Sequence, residues 1–150
     1  MKYHRKVGLF VSLAIVLAII VYLFYNSWLK SLAVKKFELE YLKEENKKGM
    51  TMDSKNVRFD SVTAKSNKIL QYDFTLVNDD TSSLIVSELK QNLGPIVLKA
   101  VALDSATFVL KNHRYTFIYF YKDKNGDSLF SVTVNPRDYI NFFSRIDSSK

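Results

Sequence analysis

The sequence predicts an α+β domain carried behind an N-terminal transmembrane helix and a helical stem, and three observations predict it. Val7–Leu29 holds no charge across twenty-three residues and lies between Lys6 and Lys30. Tyr115–Tyr121 is β-branched and aromatic throughout, and Asp123-Lys124-Asn125-Gly126 separates it from the alternating run Leu129–Val134. Between an earlier pair of alternating runs and this one, apolar residues recur at helical spacing.

A helix rises about 1.5 Å per residue, so Val7–Leu29 can span roughly 30 Å of hydrocarbon. A soluble core helix of this kind would have to be buried on every face, which a chain of 150 residues does not provide. A cleaved signal peptide is the stronger rival, because Lys2, Arg5 and Lys6 form a basic head and Ser31-Leu32-Ala33 resembles a small-x-small cleavage site. The apolar run exceeds a signal core in length, and Lys30 stands between it and that site, so an uncleaved anchor is expected. With no cysteine in the chain, a lipidated N-terminus is excluded. The basic residues before the span favour a cytoplasmic N-terminus and an exported body, although Lys30, Lys35 and Lys36 follow at similar density. Tyr22, Tyr25 and Trp28 gather near the C-terminal end of the run, as interfacial aromatics do.

The stem, residues 30–49, places Val34, Phe37 and Tyr41 at helical spacing with Leu42 beside them, among Leu, Glu and Lys. Glu40–Lys43 and Glu44–Lys47 are favourable pairs three residues apart. Span and stem fit one helix from about Val7 to Lys47, ended by Gly49. The stem is then either a solvated spacer or a short docking helix.

The domain, residues 50–150, opens with Val57–Val62 as a strand and turn residues at Lys65-Ser66-Asn67. Leu70, Tyr72, Phe74 and Leu76 then share one face of a second strand, which makes an antiparallel hairpin. Asn78–Ser83 is rich in helix-capping residues. Ile85, Leu89, Leu93, Ile96, Val97 and Ala100 follow a helical face, which Gly94-Pro95 is expected to kink or split. Ser105 is placed to cap a short helix through about Leu110, although Thr107–Leu110 fits a strand equally. Asn125-Gly126 matches a type I′ turn joining the last two strands. Past Pro136, Tyr139, Phe142, Phe143 and Ile146 mark a short amphipathic C-terminal helix. The sum is a four-stranded, mainly antiparallel sheet of two hairpins with a central helical segment.

The net charge of +7 suggests nucleic acid until it is located. Residues 1–48 hold nine Lys/Arg against four Glu, and residues 49–150 hold thirteen against eleven acids. The excess flanks the apolar span, where anionic lipid attracts it, and the domain has no basic stripe for nucleic acid.

Catalytic constellations are missing from the sequence. His113 is the single imidazole beyond the N-terminal tail, and without cysteine or a second histidine no zinc set can be assembled. Asp123, Asn125 and Asp127 match the first ligand positions of a calcium loop, but Ser128 and Val134 stand where glycine and glutamate are needed. No cofactor, metal or small-molecule substrate is expected, and the reading is of a non-enzymatic protein. Tyr115, Phe117, Tyr119 and Tyr121 share one face of a strand, with Ile118 and Phe120 on the other. That face is either core or an aromatic surface that receives a partner. Phe37 and Tyr41 of the stem join it as candidate interaction residues.

Val57-Arg58-Phe59-Asp60-Ser61-Val62 after Met52-Asp53, and Leu70–Asn78, resemble the "MVD…TRLDSV … L.Y.YTLVN" opening of a family of small uncharacterised bacterial envelope proteins. Tyr115–Asp123, Asn125-Gly126 and Val132–Asp138 are similar to that family's "Y.Y.D.DG … I.VTP.DC" ending. The resemblance covers about residues 50–139. It implies an N-terminal export signal or anchor, an α+β domain and no established activity. Many such proteins carry a cysteine pair, one of whose positions is Tyr139 here, so that disulfide is absent.

These readings converge on a single-pass protein of the bacterial inner membrane with a cytoplasmic tail at residues 1–6, a transmembrane helix at 7–29 and a periplasmic domain. Its expected role is protein–protein contact, accessory to an envelope or secretion assembly, with the bilayer and one protein as partners. The alternatives are a membrane-held immunity or exclusion factor and an uncharacterised hydrolase.

Overall fold

The computed structural model describes residues 2–49, 56–65, 68–77 and 83–147. The expected features at Met52-Asp53, at Ser66-Asn67 and at Asn78–Ser82 lie outside the described residues. In order the elements are α1 (Lys2–Gly49), β1 (Val57–Lys65), β2 (Ile69–Leu76), α2 (Ser83–Leu103), α3 (Phe108–Asn112), β3 (Thr116–Lys122), β4 (Ser128–Val134) and α4 (Pro136–Asp147). The architecture is α+β, as the sequence predicts.

The chain forms two compact units, one ending at Phe37 and the other beginning at Glu38. In the first, the apolar side chains from Ile15 to Leu29 are exposed, and the helix is long and apolar enough to cross a membrane. Such a helix serves as a membrane anchor or as an export signal. The folded unit starts inside the stem, twelve residues before the boundary expected at residue 50. Tyr41, Asn46 and Gly49 explain why, since each is committed to the sheet. The Tyr41 and Tyr72 hydroxyls are 2.6 Å apart. The Asn46 side-chain amide donates to the Val62 carbonyl at 3.0 Å and accepts from the Val62 N–H at 2.7 Å. That pairing occupies backbone groups on edge strand β1, which would otherwise invite another chain. A Cβ at Gly49 would collide with the Phe59 ring, so the glycine permits close approach of the helix end to β1.

The sheet order is β1-β2-β3-β4. Both expected hairpins form, and the pair that joins them, β2 with β3, is parallel. A parallel neighbour requires a long crossover, which α2 and α3 supply. Register brings Tyr72 beside Tyr119 and Phe74 beside Tyr121, with Phe130 and Val132 opposite Tyr121 and Tyr119. One face therefore carries Phe59, Val62, Leu70, Tyr72, Phe74, Phe117, Tyr119, Tyr121, Phe130 and Val134. Its rings pack in a row: Tyr72 on Tyr119 at 4.7 Å, Phe74 on Tyr121 at 5.3 Å and Tyr121 on Phe130 at 4.7 Å. Helices cover this face. Tyr41 of α1 reaches Tyr72, and Tyr139 of α4 meets Phe117 edge-on at 6.3 Å. Val97, Val101 and Ala102 of α2 and Leu110 of α3 are buried in the same core.

Three local expectations change. α2 runs unbroken through Pro95, which sits exposed inside the helix, so Gly94-Pro95 does not split it. Packing of Val97, Val101 and Ala102 outweighs the hydrogen bond that the proline removes. Thr107–Leu110 belongs to a helical turn and not to a strand. The β3–β4 turn is not type I′, because Gly126 alone has positive φ (90°) there among the described residues. The Gly126 N–H donates to the Asp123 carbonyl, and the Asp123 carboxylate accepts from the N–H groups of Asn125 (2.9 Å) and Asp127 (2.8 Å). That carboxylate organises the turn and is not posed as a metal ligand.

Burial raises the pKa of Tyr41, Tyr72 and Tyr119 well above the usual phenol value. Below pH 10 these phenols are protonated in folded and unfolded chains alike. Above it the unfolded chain ionises while the folded one does not, so stability is lost as pH rises. Each tyrosine withdraws roughly 1.4 kcal/mol per pH unit in that range. Phenolate absorbance and loss of circular dichroism are expected to follow one cooperative alkaline curve. Tyrosines that titrate near pH 10 in an intact fold would contradict their burial.

Candidate interaction surfaces

The candidate residues of β3 do not form an open surface. Phe117 is fully buried, Tyr115 and Tyr121 are nearly so, and Tyr119 is half-buried. Tyr41 is buried too, because it reaches that same face, and the Tyr115 hydroxyl donates to the Glu38 carboxylate. Two surfaces proposed for an outside partner thus satisfy each other within the folded unit. Phe37 is half-buried and closes the first unit. Alternation placed these rings on one face correctly, but it carried no sign of which helix would cover them.

The opposite face of the sheet bears the side chains between those rings. Asp60 is the extra residue of a bulge between Phe59 and Ser61, and its carboxylate accepts from Arg58 Nε at 2.9 Å and Thr75 Oγ1 at 2.7 Å. Asp73 accepts from Gln71 Nε2 at 2.9 Å and lies 3.5 Å from Lys122 Nζ. Lys122 also stands 5.8 Å from the centre of the Phe120 ring. Half-buried Ile118 and Phe120 occupy the middle of this charged frame. Ile118 and Phe120 are legible as the second face of their strand, but the contacts of Asp60 with Thr75 and of Asp73 with Lys122 depend on register across three strands.

A third surface lies where α2, α3 and α4 meet. The chain turns from α2 into α3 at Asp104, whose carboxylate accepts from the Ala106 N–H at 2.9 Å. Lys111 reaches back, and its ammonium donates to the carbonyls of Val101 (2.8 Å), Ala102 (2.6 Å) and Asp104 (2.7 Å). These groups at the end of α2 have no helical partners, so the lysine acts as a C-terminal cap. Burial lowers its pKa, and Asp104 opposes that shift. The Tyr139 hydroxyl lies 3.2 Å from the carbonyls of both Lys111 and Tyr115, which fixes α4 against α3 and β3. Between the helices is an open cleft of about 600 Å³, whose walls include Leu103, Phe108, Arg114, Ile140 and Phe143. Phe108 (61%), Leu103 (55%), Ile140 (43%) and Phe143 (42%) are exposed there.

His113 sits at the foot of α3 with Nδ1 2.9 Å from the Val109 carbonyl. A carbonyl only accepts, so this nitrogen carries a proton and serves the helix end. Among the described residues no group of three or more His, Asp or Glu side chains is placed to hold a metal ion.

Residues 33–130 match the family described as Domain of unknown function (DUF8479). The chain belongs to this family. The matched span takes in Glu38–Gly49, the part of α1 that completes the DUF8479 core, and ends within β4. No curated protein matches the chain. Among solved structures it is similar to a candidate secreted protein of Pseudomonas aeruginosa, determined at 1.60 Å, with a TM-score of 0.51 and 8% identity. That similarity covers 67% of this chain and 90% of the other, and it shows a shared fold.

Proposed function

We propose that this DUF8479 protein is a non-enzymatic, single-pass inner-membrane protein whose folded unit works in the periplasm by protein–protein contact. One observation carries the reading: α1 runs from an exposed apolar segment into the core of the folded unit without a break. Ser31-Leu32-Ala33 lies inside that helix. This supports an uncleaved anchor. The basic tail and the fold shared with a candidate secreted protein support an exported domain. The prominent polar groups serve structural contacts: Lys111 with carbonyls, Asp73 with Gln71 and Lys122, His113 with Val109. That use supports a binding role and not catalysis.

The partner surface is the sheet face around Ile118 and Phe120, where apolar contact is ringed by fixed charges, as in the centre and rim of protein interfaces. Ile118→Ser with Phe120→Ser is expected to abolish recovery of a cross-linked periplasmic partner and to lower Tm by no more than about 8 °C. Unchanged recovery would move the partner site elsewhere. Topology is tested in this cysteine-free chain by Lys124→Cys and Tyr3→Cys. Labelling by an impermeant maleimide at 124 but not at 3 is expected, and the reverse would overturn the orientation.

A further inference from the structure

We infer that the free edge of β4 pairs antiparallel with β4 of a second copy of this chain, joining two four-stranded sheets into one. The pairing uses the strand edge and leaves the Ile118–Phe120 face open, so it is independent of the partner surface above.

The two edges of the sheet are built differently. On β1, Asn46 occupies both backbone groups of Val62, Asp60 bulges from the strand, and Lys65 is exposed at its end. Those are devices that keep another strand away. β4 holds neither charge nor proline between Ser128 and Val134. Its bulge, at Leu129, is confined to the end beside the turn, which leaves Phe130–Val134 regular. Among the described residues, no hydrogen bond from outside β3 reaches the backbone of β4. The groups that point away from β3 are therefore left to solvent or to another strand.

Self-pairing fits the residues that β4 carries. A two-fold axis at Val132 sets Phe130 opposite Val134 of the partner subunit, and Ser131 opposite Thr133 of the partner subunit. An aromatic ring thus meets a β-branched side chain and one hydroxyl meets another, both favourable cross-strand pairs. The same register brings Asp127 level with Arg137 of the partner subunit, once at each end of the pair. Both residues are exposed, and neither makes an ion pair among the described residues. A parallel arrangement would instead set Asp127 beside Asp127 and Arg137 beside Arg137.

A strand from an unrelated protein is less well served. Edge-strand recognition takes its specificity from pockets that hold alternate side chains. Neither the α2–α3–α4 cleft nor the hollow at Phe59, Phe74 and Tyr119 is lined by a β4 residue. A second copy needs no such pocket, because each strand matches the other through its own sequence.

The test uses the full chain in detergent micelles, with Ser131→Cys and Thr133→Cys carried on separately tagged copies. Directly opposed residues on antiparallel strands lie about 4.5–5.5 Å apart, within the span of a disulfide. Mixing the two variants under mild oxidation is expected to give several-fold more linked dimer than either alone, with none from Lys65→Cys on the β1 edge. Sedimentation supplies the second measurement. Asp127→Arg is expected to raise the dimer dissociation constant about tenfold, and adding Arg137→Asp to restore it, with circular dichroism unchanged. A chain that stays monomeric overturns the inference. So do dimers that link equally through Lys65→Cys, or that form without a 131–133 link and ignore the charge reversal, since these assemble through another surface. If Asp127→Arg fails to fold, the cysteine pair decides alone.

Discussion

A chain beginning at residue 50 is expected not to fold, while one beginning at residue 34 folds. Residues Glu38–Gly49 lie within the folded unit, and their removal uncovers the ring row at Tyr72 and Tyr119. Burial of Tyr41 alone is worth about 2 kcal/mol. The Tyr41–Tyr72, Asn46–Val62 and Glu38–Tyr115 hydrogen bonds add roughly 1 kcal/mol each, and the sheet loses cover for its central strands. A small domain has only about 5–15 kcal/mol in total. Thermal melts decide the matter: the longer fragment should show one cooperative transition and the shorter one none. Equal Tm values would return the stem to the role of a spacer.

Tyr119→Ser combined with Tyr121→Ser is expected to unfold the protein. Tyr119 stacks on Tyr72 and Tyr121 on Phe130, each at 4.7 Å, and Phe74 packs against both tyrosines. Truncating one large buried ring costs roughly 3–5 kcal/mol, and the cavities left here are adjacent. The double variant therefore removes an amount comparable to the whole stability of the domain. Ile118→Ser with Phe120→Ser, one residue out of phase on β3, should leave the fold standing. The contrast between the pairs reads the two faces of one strand directly. A folded Tyr119/Tyr121 variant would mean that α1 does not close the aromatic face.

Alternation along β2 and β3 and the spacing of Tyr139 and Phe142 are local patterns, and each element they mark is present. The β3–β4 hairpin is equally legible, although its turn is held by the Asp123 carboxylate with Gly126 alone at positive φ, and not by a type I′ pair. The candidate site is less legible. Tyr115, Phe117, Tyr119 and Tyr121 were correctly placed together, but their burial depends on a helix at Glu38–Gly49 that is far from them in sequence. The cleft was not visible at all, because Leu103, Phe108 and Phe143 become neighbours only after three helices have packed.

By itself the sequence determined the apolar helix, the charges that flank it and the two hairpins, since each follows from residues within a few positions of one another. Tertiary structure decided that β2 and β3 lie parallel, that Glu38–Gly49 of the stem belongs to the folded unit with Tyr41 in its core, and which apolar side chains remain in solvent. Those outcomes rest on contacts between residues dozens of positions apart, such as Tyr41 with Tyr72 and Glu38 with Tyr115. Periodicity tells which side of an element is apolar. Only packing tells whether another part of the same chain is available to cover it.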